Sequence, residues 1–204
     1  MNVLVGYATE HGSTRGIAQR MATGLTASGL EAEARDLATV DDSDAYGAFV
    51  LGSAVHGQSW LAPAEDFVRA NADALGIRPV WIFSVGMPGA LRGPWKRLGP
   101  KEAPRIVGRL PGDLPFRDHR LFSGVVAREQ LPLAGRLVFH LMGGRFGDHR
   151  DWAAIDAWTA GIAADLVHGR PAVDRQARPG RRIRTGRTAR RPPSAPDRPR
   201  GDDP

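Results

Sequence analysis

The chain has no cysteine among its 204 residues. That excludes disulfides, thiolate metal sites and cysteine nucleophiles. It also has no apolar run near the roughly 20 residues that a bilayer-spanning helix requires. Of its six histidines, no two form an H-x-x-x-H or H-E-x-x-H pair. His56, His119, His140 and His149 lack paired metal-ligand spacing, so no metal site is expected and a metal hydrolase is disfavoured. Two phosphate-binding signatures are missing as well. The lack of G-x-x-x-x-G-K-[ST] argues against a nucleoside triphosphatase, and the lack of G-x-G-x-x-G against a dinucleotide fold. The opening Met1-Asn2-Val3-Leu4-Val5-Gly6 has no basic n-region and no cleavage site. It reads as a strand and not as a signal peptide, so the expected location is cytoplasmic.

Acidic and apolar residues are both scarce at the other end. Residues 169–204 carry 11 Arg against 4 Asp, a net +7, with 7 Pro and no aromatic residue. The whole chain is +6, so residues 1–168 carry only −1. The basic character thus belongs to a tail that cannot bury enough apolar surface to offset the entropy of ordering. The expected organisation is one domain over residues 1–168 and a disordered Arg/Pro-rich tail over 169–204. Nucleic acid is expected only as a non-specific partner of that tail.

Within the domain, short apolar runs alternate with helical patterns. Residues 2–7 read as a buried strand and 9–14 as a polar turn. Residues 15–27 place Ile17, Ala18, Met21, Ala22 and Leu25 at helical spacing, with Gly29 as the stop. Residues 31–37 form a weaker, alternating strand, and 45–52 a strong buried one around Phe49, Val50 and Leu51. One helix is expected over 64–75, with Pro63 in its first turn. Strands follow at 79–85 and 121–126, then a last helix at 152–167 with Ile155, Trp158, Ile162 and Leu166 on one side. This alternation predicts an α/β fold: a doubly wound, five-stranded parallel sheet in the order 2-1-3-4-5 with helices on both faces. Ligands in that topology bind beyond the carboxyl ends of the strands. The loops there are residues 8–14, 53–61 and 86–99.

Two segments exceed the minimal pattern. Residues 86–120 form a long connection with a short helix near 101–107. Residues 127–151 lie between the last strand and the last helix. Within them, residues 131–142 read as an amphipathic helix with Leu133, Ala134, Leu137, Val138 and Leu141 on one face and Arg136 and His140 on the other.

The first loop reads Thr9-Glu10-His11-Gly12-Ser13-Thr14. A phosphate needs convergent N–H donors and hydroxyls, and a helix N-terminus supplies unpaired N–H groups and a favourable dipole. Gly12 lets the backbone approach closely. Thr9, Ser13 and Thr14 bring hydroxyls, and His11 a ring donor. An ordinary capped helix start uses the same residue types.

This loop resembles the T-x-T-G-x-T phosphate loop of flavodoxins, with His11 at the middle hydroxyl. Together with the order of elements it marks residues 1–168 as flavodoxin-like, which implies FMN as cofactor. Within that superfamily the chain is most similar to the menaquinone-dependent protoporphyrinogen oxidases. The run Gly52-Ser53-Ala54-Val55-His56-Gly57 continuing through Trp60 to Phe67, the insert before the last helix, and its end Gly147-Asp148-His149-Arg150-Asp151-Trp152 carry that likeness.

The resemblance implies a flavin ring held by Ala54, Val55, His56, Gly57, Trp60, Ser84, Val85 and Gly86. Trp60 either stacks on the ring or fills the core. His56 is either a loop hydrogen-bonding residue or an acid/base. Residues 53–61 and 84–99 contain no Asp or Glu, and the second loop carries Arg92, Lys96 and Arg97. A neutral-to-basic rim favours the anionic reduced flavin and anionic substrates. The implied activity is oxidation of a porphyrinogen, with electrons passed to a quinone. Arg92, Lys96, Arg97 and Arg136 are then candidate contacts for the substrate carboxylates. The helix at 131–142 either touches a membrane interface peripherally or packs on the domain. Two other readings stay open: a flavodoxin-type electron-transfer protein, and a binding module without redox turnover.

Overall fold

The computed structural model describes residues 1–90, 99–111, 114–130, 132–141 and 143–169. Three consecutive apolar residues, Val3, Leu4 and Val5, are buried in the first strand, β1 (Asn2–Ala8). Side chains alternate across a strand, so such a run is covered on both faces and belongs inside a sheet. β1 is flanked in parallel by β2 (Glu31–Asp36) and β3 (Ala48–His56). β3 pairs with β5 (Val80–Gly86), and β5 with β6 (His119–Ser123), again in parallel. The order β2-β1-β3-β5-β6 is the expected doubly wound topology.

The alternation divides the core into two layers. On one face α1 (Ser13–Ala27) and α6 (Trp152–Val167) cover Val3, Val5, Val50, Phe83 and Phe122. On the other, α2 (Ala62–Ala70), α3 (Ala72–Ile77) and α4 (Gly99–Val107) cover Leu4, Phe49, Leu51 and Ile82. Gly52 is needed for this packing. A Cβ there would stand 2.0 Å from Cζ of Phe83, its register partner on β5.

The structure corrects three details and orients a fourth element. The helix expected over 64–75 is broken into α2 and α3 at Asn71, whose backbone leaves the helical region (φ −115, ψ 25) and whose side-chain Nδ2 donates to Phe67 O at 2.8 Å. The strand expected over 121–126 ends at Ser123. Gly124 turns the chain, its N–H donating to Gly86 O at 2.9 Å, and β7 (Val125–Val126) pairs instead with β8 (Gly147–Asp148). A short strand the periodicity did not show, β4 (Ser59–Trp60), folds back on the end of β3. The helix α5 (Leu133–Leu141) forms as expected, and its apolar face points outward. Leu133 is 79% exposed and Leu141 77%, and the helix is anchored by Phe139, packed with Ala90, Val126 and Phe146. Among the described residues no helix is long and apolar enough to cross a membrane. Arg92, Lys96, Arg97 and the tail from residue 170 lie outside the described residues.

Candidate functional site

Because the five main strands are parallel, their carboxyl ends share one edge of the sheet. The crossovers from β1 and β3 leave toward opposite faces, which opens a crevice between the two strand ends. The loops that meet there are residues 9–12, the turn between β3 and β4, and the segment after β5.

The first loop has no side chain capping α1. Its N-cap position is Gly12 at φ +85, a left-handed conformation that costs glycine nothing. Thr9 Oγ1 accepts the Gly12 N–H at 3.0 Å and tightens the turn. At the start of α1 lies the decisive feature. Thr14 is fully buried, and its Oγ1 has no hydrogen-bond partner. A buried hydroxyl left unsatisfied costs about 1–3 kcal/mol. An anion seated on the helix N-terminus would relieve that cost and use the uncapped N–H groups. Ser13 is covered by the corner after β6: a Cβ on Gly124 would lie 3.0 Å from Ser13 Oγ. Glu10 and His11 are exposed at the outer rim, 3.8 Å apart.

The second loop is a hairpin tip. Gly57 and Gln58 have φ of +57 and +67, and the pairs Val55–Trp60 and His56–Ser59 flank them. Two successive left-handed residues make the turn that best matches strand twist. Arg109, which follows α4, donates from Nη1 to Gly57 O at 2.8 Å and ties the tip down. His56 is exposed beside it. Trp60 takes the core role of its two possible ones. It is buried, and its indole Nε1 donates to Ser84 Oγ at 2.9 Å. Ser84 is buried as well and lies 3.0 Å from His119 Nε2. Burial holds His119 down to about 4, with Arg120 adding to the effect and Asp118 opposing it. The side chains of Trp60, Ser84 and Val85 therefore support the mouth from behind, while Ala54, Val55, His56, Gly57 and Gly86 remain at least partly exposed.

The third loop is stitched to the insert. Gly89 N donates to Ser123 Oγ at 2.9 Å, and Arg145 N to Ala90 O at 2.9 Å. This places α5, with Arg136 half-buried on it, beside the segment that follows β5. A separate open cleft of about 810 Å³ runs along β6 and α6, lined by Trp81, Arg117, Phe122 and Trp158. It follows the sheet edge and contains none of the phosphate-loop residues.

Sequence reasoning missed two cations at the first loop. Arg15 Nη2 would lie 3.6 Å from a Cβ on Gly12, and Arg150 Nη1 2.7 Å from one on Gly16. Arg15 adjoins the motif and was available to inspection. Arg150 arrives from 134 positions along the chain, and only the fold brings it near.

The model of the flavodoxin domain matches residues 4–149. Solved structures agree on the fold. A flavodoxin from the domain Archaea aligns at 14% identity and TM-score 0.51, over 82% of this chain and 100% of that one. A cysteine-to-serine mutant of flavodoxin from Pseudomonas aeruginosa aligns at 18% identity and TM-score 0.52, over 82% and 99%. The rubredoxin oxygen:oxidoreductase of Desulfovibrio gigas aligns at 14% and TM-score 0.51, over 82% of this chain and 36% of that one. No curated protein sequence matches the chain. FMN is the cofactor of flavodoxin domains, and the uncapped helix with the unpartnered Thr14 hydroxyl fits its phosphate. The chain belongs to the flavodoxin-domain family.

Proposed function

We propose that this chain is an FMN-dependent electron-transfer protein. The observation that carries the reading is the buried, unpartnered hydroxyl of Thr14 at an uncapped helix N-terminus. Thr9, Ser13 and Thr14 hold the phosphate, with Gly12 giving the backbone its approach. The partly or fully exposed residues Ala54, Val55, His56, Gly57 and Gly86 meet the polar edge of the ring. The flavin supplies one- and two-electron chemistry when bound, and the protein's work is to bind it and set its surroundings. No Asp or Glu lies in residues 53–61 or 84–99. Such a rim favours the anionic reduced flavin and selects a partner with negative charge.

A second reading is quinone-linked oxidation of a porphyrinogen. Its support is the insert. Leu133, Leu137, Val138 and Leu141 are all more than half exposed, on the side of α5 away from its Phe139 anchor. Such a face suits a lipid interface from which a quinone is drawn. Arg92, Lys96, Arg97 and Arg136 would then contact the substrate carboxylates.

The visible spectrum of the purified protein, followed by anaerobic reduction, tests the first reading. Bound FMN that cycles reversibly is the expected result, and a protein that takes up no flavin overturns it. Porphyrin fluorescence with menadione as acceptor tests the second. Oxidation no faster than the uncatalysed background removes the porphyrinogen and leaves the carrier.

A further inference from the structure

We propose that Arg150 is a phosphate-selecting counter-charge, held against the first turn of α1 by Asp148 and Trp152. The inference rests on the FMN reading above and adds a residue to that site. A Cβ on Gly16 would stand 2.7 Å from Arg150 Nη1, so the guanidinium occupies the space that a larger residue at position 16 would fill. Gly16 is two residues beyond Thr14, and its N–H closes the first turn of α1 on Gly12 O at 3.1 Å. The other edge of the guanidinium is committed. Nε donates to Asp148 Oδ1 at 2.9 Å and Nη2 to Asp148 Oδ2 at 2.6 Å. The Trp152 ring lies under Arg150 Cζ at 4.5 Å. Only 19% of the side chain is exposed. The segment carrying it is fastened in turn, since His149 N donates to Gly124 O at 3.2 Å. Arg150 is thus held by Asp148, with Nη1 turned toward the helix.

The electrostatics of this placement point to an anion. The N-terminus of a helix carries partial positive charge, which acidic side chains stabilise and cations oppose. α1 has no acidic residue in its first turn. Arg15 lies there instead, and Arg150, paired with Asp148, packs on the turn at Gly16. For the helix alone Arg15 has the wrong sign, while the Arg150–Asp148 pair adds no net charge. With a phosphate dianion over residues 12–14 Arg15 has the right one, and the Nη1 edge of Arg150, turned away from Asp148, and the uncapped N–H groups act on the same charge.

A counter-charge for the phosphate discriminates FMN from riboflavin, which has the same ring and no phosphate. The test is titration of the apo-protein with each flavin, for wild type, R150Q and R150K. R150Q should weaken FMN binding about tenfold, as expected for one partly shielded charged contact, and leave riboflavin affinity unchanged. R150K keeps the charge and should recover most of the loss. The FMN-to-riboflavin ratio of the wild type should also fall with salt more steeply than that of R150Q. Equal weakening of both flavins in R150Q would show that Arg150 only packs the turn, and would overturn the proposal. So would unchanged binding of both. Wild type that binds neither flavin would instead remove the FMN reading itself.

Discussion

The imidazole Nε2 of His119 lies 3.0 Å from the hydroxyl of Ser84. That hydroxyl accepts the indole N–H of Trp60, and its direction toward the ring follows the tautomer of His119. Burial is what keeps the ring neutral, with its pKa held down to about 4. Since the folded value lies below the unfolded one, this contribution to stability is complete above about pH 6.5. It is lost progressively as pH falls toward 4. Denaturant unfolding of wild type and H119Q at pH 7.5 and pH 4 should separate it. Wild type should lose no more than about 3 kcal/mol beyond the loss seen in the variant. Identical pH dependence would mean that His119 is accessible to protons in the folded chain.

Thr14 gives a prediction of two opposite signs. Its hydroxyl is buried without a partner, so T14V should stabilise the apo-protein by about 1 kcal/mol. The same change removes a hydrogen bond to a charged phosphate, worth about 1.5–3 kcal/mol of FMN affinity. Thermal melts of the apo-protein and FMN titration check the two halves separately. A loss of stability together with unchanged affinity would place the phosphate elsewhere.

Gly52 faces the ring of Phe83, with no room for a methyl group. G52A should destabilise the protein by about 1–3 kcal/mol through overpacking. F83L in the same background opens the space and should recover part of that loss. Denaturant midpoints measure both, and a neutral G52A would show that β3 and β5 separate easily.

The outward face of α5 carries Leu137 at 62% and Leu141 at 77% exposure. L137E/L141E should change unfolding free energy by less than about 0.5 kcal/mol, because neither side chain is buried. If that face meets a lipid surface, the double variant should no longer sediment with phosphatidylglycerol vesicles that retain wild type. Wild type left in the supernatant would end the peripheral-membrane reading.

The sheet order was legible because apolar runs such as Val3-Leu4-Val5 and Phe49-Val50-Leu51 have only one comfortable place, the middle of a covered parallel sheet. The candidate phosphate loop could be proposed from the sequence because all its groups are consecutive. What stayed hidden depends on distant residues. Trp60 has an indole N–H that needs a partner when buried, and the sequence does not reveal that Ser84 supplies it. The periodicity of α5 identified an apolar stripe, but burial is a relation to other elements, and here Phe139 anchors the opposite side. Arg150 reaches Gly16 of α1 only once α6 lies beside α1. The break at Gly124 likewise depends on the carbonyl of Gly86, well upstream in the chain.

The most direct measurement is calorimetric titration of the apo-protein with FMN, for wild type and T14V. One FMN per wild-type chain, with affinity lowered about 10- to 100-fold in T14V, is the predicted result. FAD as the flavin bound by the purified protein, or FMN bound equally by both forms, would contradict the site described here.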